Sequence, residues 1–302
     1  MMKMVAVNTG AVSMFSKDEF TAFDRIKKAG FNAVDYSFYF LPDDGSGILA
    51  ASDTEFDDYF MRLSAHAREI GLSLIQSHAH LYGFAENNAD EERIRAVYLR
   101  EIRAAGIMKC PYIVIHPAIP PRYKYFEYRA QTRKYNLKWL GSLIPALESA
   151  DVRLGVENMF NYDYEKSCIC PTVCTTAAEM LDYCDMLGER FVACLDIGHA
   201  NLIHCKDFDD VTPEKMINTL GGRLNLLHVH DNDGISDLHM TPFTCSLDFK
   251  LVANALKNIN YSGAITLETD AHINKAAESG DDIDALLLQM HEAALAIAKA
   301  SE

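Results

Sequence analysis

Eight short apolar runs recur through this chain at intervals of roughly 30 to 40 residues, a rhythm that leaves few architectures open. They are VAVNTG (5–10), NAVDYS (32–37), LSLIQSH (72–78), YIVIHPA (112–118), VRLGVEN (152–158), FVACLDIG (191–198), LNLLHVHD (224–231) and AITLETD (264–270). Most are nearly continuous in β-branched or leucine-rich character, which suits parallel strands covered on both faces. Helical patterns lie between them. DEFTAFDRIKKAG carries Phe20, Phe23 and Ile26 at helical spacing and then Gly30 as a stop; FDDYFMRLSAHAREIG ends the same way at Gly71. EERIRAVYLREIRAAGI, RKYNLKWLGSLIPALESA, TAAEMLDYCDMLG, TPEKMINTL, DFKLVANALKNI and DDIDALLLQMHEAALAIAKA continue the series, with Thr175 or Thr176 ahead of Glu179 predicting a capping box. Eight strands alternating with eight helices in 302 residues, without a linker or low-complexity tract, predict one α/β domain over residues 1–302, a (β/α)8 TIM barrel. A doubly wound open sheet is the alternative, but no glycine-rich phosphate loop follows the first run.

Composition narrows the function classes. The net charge is −15, from 43 acidic and 28 basic residues, which works against a nucleic-acid partner. No stretch reads as about 18 uncharged apolar residues, so no membrane span is expected. The start, MMKMVAVNTGAV, lacks a long apolar core and a cleavage site, and a cytoplasmic location is expected. Of eight cysteines, three cluster in CICPTVC as Cys168, Cys170 and Cys174. That spacing has no second half of the kind zinc modules carry, so free loop thiols are expected rather than a thiolate site or redox pair. The one basic, aromatic tract, PPRYKYFEYRAQTRKYNLKW (120–139), follows the fourth run. It reads foremost as a lid loop entering a solvated helix; a phosphate contact from Arg122 or Lys124 and nucleic-acid stacking are the functional alternatives. LPDDGSGI (41–48) reads as a second loop at the same mouth.

Six of the runs end in residues able to bind metal or move protons: His78, His116, Glu157, Asp196, His228 and Glu268. In a barrel the C-terminal strand ends converge on one mouth. Each residue alone is an ordinary strand end. Together they would bury several like charges, at a cost of several kcal/mol per ion unless a cation compensates. A divalent metal is therefore expected.

Several of these motifs carry a resemblance. GVEN (155–158), CLDIGHAN (194–201), HVHD (228–231), DLH (237–239) and LETD (267–270) resemble, in order and spacing, the xylose-isomerase-like barrels. SHAH (77–80) and IHPA (115–118) fit the same scheme, so the resemblance spans essentially the whole chain. That superfamily includes tagatose 3-epimerase-like enzymes, sugar phosphate isomerases/epimerases and endonuclease IV. The epimerase pattern implies one metal between Glu157, Asp196, His228 and Glu268, with Glu157 and Glu268 as the acid/base pair and His199 touching substrate. The donor set suits manganese or zinc foremost, with magnesium and cobalt also compatible. The implied reaction is isomerisation or epimerisation of a small sugar or sugar phosphate, by proton abstraction beside a carbonyl through an enediolate. The endonuclease pattern adds His78, His116, His199, Asp237 and His239 to hold three zinc ions, and this sequence keeps all nine positions. Barrels of this kind often pair, so a homo-oligomer is left open.

One departure concerns DLHMTPFTCSLDF: Pro242 is kept, but Phe243 and Thr244 stand where the family often has glycine. This leaves open whether Asp237 and His239 act as ligands. In HVHD only His228 matches the family ligand. His230 is expected to line the pocket, orient a neighbour or simply be a hydrogen-bonded core residue; Asp231 is expected to support the metal shell. Asp233 has no assigned role.

Overall fold

Every apolar run becomes a strand in the computed structural model, which describes residues 3–85, 87–119, 125–163, 165, 167–203 and 211–302. In chain order the strands are β1 Val5–Asn8, β2 Ala33–Ser37, β3 Ser73–His78, β4 Tyr112–Ile115, β5 Arg153–Glu157, β6 Phe160–Asp163, β7 Cys168–Pro171, β8 Phe191–Asp196, β9 Leu224–His228 and β10 Ile265–Leu267. Eight form one parallel sheet in the order β10-β1-β2-β3-β4-β5-β8-β9. Its edges meet: the Val229 N–H donates to the Thr266 carbonyl at 2.8 Å, and the Glu268 N–H to the Val229 carbonyl at 3.1 Å. With helices between consecutive strands, this is the expected (β/α)8 barrel.

Side-chain parity decides what lies inside. Val5, Val7, Val34, Tyr36, Ile113, Ile115, Leu154, Val156, Leu195, Leu227, Ile265 and Leu267 join the main core, shared with the helices. The alternate residues meet across the barrel axis. Val114, Val192, Cys194 and Leu226 form a separate apolar cluster. A Cβ on Gly155 would lie 2.8 Å from Leu226, 3.2 Å from Val114 and 3.3 Å from Cys194, which places these residues of β4, β8 and β9 in front of β5, inside the barrel. Two residues further along the same rows stand His116, Glu157, Asp196 and His228. The barrel thus has an apolar floor and a polar ceiling at its C-terminal end.

The helices follow the sequence with two differences. RKYNLKWLGSLIPALESA is broken into Tyr125–Gly141 and Ile144–Ala150, because Pro145 cannot donate into a continuing helix and sits instead in the first turn of the second one. Thr176, not Thr175, caps its helix, accepting the Glu179 N–H at 3.2 Å; Thr175 bonds the turn before it. Among the described residues Cys168, Cys170 and Cys174 form no disulfide. CICP, however, is not loop but strand β7, paired antiparallel with β6 in a hairpin. Arg122 and Lys124 lie outside the described residues. Among the described residues no helix is long and apolar enough to cross a membrane.

At Gly155 the barrel floor has no room for a methyl group. Gly155→Ala is expected to lower unfolding free energy by about 1–3 kcal/mol in a urea titration. Wild-type stability would show that the floor is looser than these distances imply.

Candidate metal centre

The polar ceiling is a connected cluster of imidazoles and carboxylates. The potential ligand atoms of Glu157, Asp196, His228 and Glu268 all lie within 4.8 Å of one another, and all four residues are buried. His228 Nδ1 is 3.2 Å from Glu157 Oε1 and 3.4 Å from Glu268 Oε2. Beside them His78, His116 and Glu157 form another such group, with His116 Nε2 at 3.1 Å and His78 Nε2 at 3.4 Å from Glu157 Oε2. A third comprises His199, His230, Asp237 and His239. The structure therefore brings together all nine sequence-named positions.

Backbone contacts fix several of these rings. His78, His199 and His239 each donate Nδ1–H to a carbonyl, of Ala79 (2.9 Å), Asn158 (2.9 Å) and Glu268 (3.0 Å) respectively. In the neutral ring that leaves Nε2 as the lone-pair nitrogen. His228 is the reverse: Nε2 faces Asp35 Oδ2 at 3.2 Å, which turns Nδ1 toward the two glutamates. Gln76 in turn donates to Asp35 Oδ2 at 3.0 Å. Carboxylate–histidine pairs of this kind orient metal ligands. Asn158 ties Asp196 in place, accepting its N–H at 2.6 Å and donating to its carbonyl at 2.9 Å.

The departure after DLH does not displace Asp237 and His239. Phe243 takes the left-handed backbone region at φ 69°, and His239 does so at φ 43°. Asp231 is what holds this turn: its carboxylate accepts N–H groups from Asn232, Thr244, Cys245 and Leu247 at 2.8–3.0 Å. It acts through the loop backbone rather than through the ligand rings. Asp233 accepts from Ile235 and Ser236 and shapes an exposed turn.

Within the cluster many buried polar atoms face charged neighbours without a hydrogen bond of good geometry: both oxygens of Glu157, Asp196 Oδ2, Asp237 Oδ1 and both nitrogens of His228 and His230. Buried polar atoms are nearly always paired, so the arrangement fits a set of donors awaiting a cation. Burial would raise Glu157, but His228 and His116 hold it well below the ordinary carboxylate range. Against its burial, the imidazoles of His239, His199 and His230 bring Asp237 down to about 2. Burial likewise opposes the charged form of His228, yet Cys194, Glu268 and Glu157 raise it well above the usual value; Asp237 and Glu268 do the same for His239. His199 is raised by Asp196 and Asp237 in spite of burial, whereas burial lowers His116.

A match to the family model described as "Xylose isomerase-like TIM barrel" covers residues 23–289. The chain belongs to this family. It is 27% identical over 194 residues to the uncharacterized protein MJ1311 of Methanocaldococcus jannaschii, a match spanning 62% of this chain and 61% of that protein's length. Among solved structures it is similar to D-psicose 3-epimerase (TM-score 0.70, 18% identity, 99% of this chain and 98% of that chain). It is also similar to 3-keto-D-glucoside 4-epimerase of E. coli (TM-score 0.64, 17% identity, 96% and 100%).

Like other barrels, this family member carries its cavity at the C-terminal mouth. The pocket has a volume of about 370 Å³, and its lining includes the polar residues His116, His199, His239 and Glu268 and the apolar residues Leu81, Met159 and Phe160. Phe160, on the hairpin, meets the His199 ring edge-on at 4.9 Å. Asp270, also at the pocket, accepts from Ala11 N–H at 2.7 Å and from Tyr39 and Asn8; burial pushes its carboxyl up to about 6. Asp35, Tyr39 and Asp270 were not singled out from sequence. Asp35 and Asp270 had a signal, as carboxylates within the runs NAVDYS and AITLETD; Tyr39 had none, because it lies past the end of its run.

Metal-free protein is expected to carry protons on His228 and His239 at neutral pH. These imidazolium–carboxylate pairs stabilise the metal-free fold below the ordinary imidazole pKa and are lost as pH rises through the raised values. A metal must displace those protons, so its affinity should rise between about pH 6 and about pH 8. Titration calorimetry in buffers of different ionisation heat should detect proton release. Affinity independent of pH with no protons released would contradict this charge distribution.

Proposed function

We propose that this chain is a divalent-metal-dependent epimerase or isomerase acting on a small, unphosphorylated sugar beside its carbonyl group. The observation that carries the reading is the Glu157–Asp196–His228–Glu268 group, buried at the barrel mouth beneath the pocket. These four residues would hold the metal, which on binding polarises the substrate carbonyl and offsets negative charge developing on its oxygen. Manganese and zinc suit the set best. Glu157 and Glu268 come from opposite parts of the sheet, β5 and the end of β10, and flank His228. One carboxylate takes the proton from the carbon beside the carbonyl, giving an enediolate; the other, or the same one, returns it. Return to the opposite face inverts that carbon, and return to the neighbouring carbon isomerises the sugar. Inversion is favoured by the structural likeness, since a ketose 3-epimerase and a 3-keto-glucoside 4-epimerase both alter a carbon next to a ketone. Asp35 orients His228, and Leu81, Met159 and Phe160 supply an apolar wall for the C–H face of a sugar.

The preference for a neutral sugar rests on charge. Among the described residues lining the pocket there is no lysine or arginine, while Asp237, Glu268 and Asp270 are present. The same feature, with the net charge of −15, weighs against the endonuclease-like reading that the nine convergent positions would otherwise favour.

Solvent-deuterium exchange tests the proposal across a panel of ketoses and keto-glycosides with added manganese or zinc. Exchange at the carbon beside the carbonyl is expected, with Glu157→Gln and Glu268→Gln each slower by about 10²- to 10⁴-fold. Near-normal exchange in either variant would remove that carboxylate from the acid/base role. Free sugars are expected to outperform their phosphates in kcat/KM; the reverse order would overturn the neutral-substrate assignment.

A further inference from the structure

Another cavity, of about 750 Å³, opens at the other end of the barrel, where β5, β8 and β9 begin. Three arginines from those separate segments line it: Arg153 opens β5, Arg190 directly precedes β8, and Arg223 directly precedes β9. In a chain of net charge −15, such a convergence of guanidiniums is the feature to explain. Arg153 is held from two sides. Its guanidinium carbon lies 5.6 Å from the centre of the Tyr112 ring. Its Nε donates to the Glu189 carbonyl at 3.3 Å and its Nη1 to the Tyr112 hydroxyl at 3.4 Å. Among the described residues it has no carboxylate within ion-pair distance. Arg190 and Arg223 each reach one carboxylate, Asp151 at 3.0 Å and Asp185 at 2.6 Å. Those side chains are 92% and 63% exposed, so both pairs face water and hold weakly. A guanidinium carries five N–H donors, so each of the three keeps donors to spare. One wall of the cavity is bare backbone at Gly222. Gly222 has no positive φ, and a Cβ there would meet nothing within 4 Å. The fold thus gives no internal reason for glycine at this position, whereas a cavity that admits a ligand does.

We propose that this cavity binds a phosphorylated small molecule, whose phosphate group is gripped by Arg153, Arg190 and Arg223. The guanidinium fork matches phosphate oxygens two at a time, and charge-assisted bonds of this kind outweigh the exposed pairs they replace. The volume exceeds that of one phosphate group, which leaves space for an organic part against Phe191 and Val192. Asp185 and Glu189 also line the cavity, which disfavours an extended polyanion such as nucleic acid and favours a compact ligand. Arg153 and Glu157 stand four residues apart on one strand, so on the order of 13 Å separates this cavity from the metal cluster. Its ligand is therefore an effector and not the molecule that reacts. This inference is independent of the reaction proposed above and holds whatever that substrate is.

Titration calorimetry of the full chain with inorganic phosphate, at a constant ionic strength of about 0.15 M set with sodium chloride, tests it. Glucose 6-phosphate is titrated in parallel, with glucose as its neutral control. Phosphate is expected to bind saturably, one per chain, and glucose 6-phosphate to bind more tightly than phosphate or glucose. Arg153→Gln and Arg190→Gln should each weaken both phosphates by about tenfold or more. The proposal is overturned if phosphate does not saturate at this ionic strength, or if the arginine variants bind it as the parent does. A glutamate-rich peptide that binds more tightly than either phosphate, and is lost in the same variants, would make the cavity a protein-docking site and also overturn it. Should Arg153→Gln fail to fold, Arg223→Gln, at a side chain more than half exposed, carries the same comparison.

Discussion

Carboxylates and imidazoles shut inside the end of a barrel repel or starve one another unless something positive is shared between them. The rest of this molecule is arranged around that constraint. Glu157, Asp196 and His228 are fully buried, and several of their polar atoms lack any hydrogen-bond partner. Left alone, such a group would cost several kcal/mol per ion. Even without a cation, the raised imidazole of His228 favours a proton that offsets the depressed, ionised carboxylate of Glu157. A protein has little reason to assemble so costly a cluster from six separated strand ends unless the cluster holds something.

The barrel makes the arrangement affordable by keeping its lower interior dry and tightly packed. Val114, Val192, Cys194 and Leu226 fill the floor around Gly155, and the polar layer begins two residues later on the same strands. Rigid support then arrives from outside this cluster. Asn158 clamps the backbone of Asp196, Asp35 turns His228, and Asp231 gathers four N–H groups of the loop that bears Asp237 and His239. This is the kind of fixed, oriented polar site that can stabilise charge as it develops on a substrate without rearranging.

Much of this was legible in the sequence, for a physical reason. Strands buried on both faces read as apolar runs, and a functional residue at the end of each run stands out against them. All eight runs became barrel strands, and the nine named positions converge. What the sequence could not convey was contact at a distance. Asp231 looked like a partner for a ligand ring, but its carboxylate is taken up by loop amides thirteen to sixteen residues ahead in the chain. The glycine missing after His239 suggested a misplaced loop, yet Phe243 occupies the left-handed conformation there. The hairpin β6–β7 escaped notice because its strands are short and half exposed, with no apolar period to reveal them. His230 packs over Gly198, where a Cβ would fall 2.0 Å from its ring, a contact between distant residues that HVHD alone does not announce.

The central claim is that the first cluster is built for a metal ion, and anomalous scattering tests it most directly. Crystals grown with manganese should give an anomalous peak within bonding distance of Glu157, Asp196, His228 and Glu268. A crystal saturated with manganese that shows no peak there, with those carboxylates paired instead to protons or water, would contradict it.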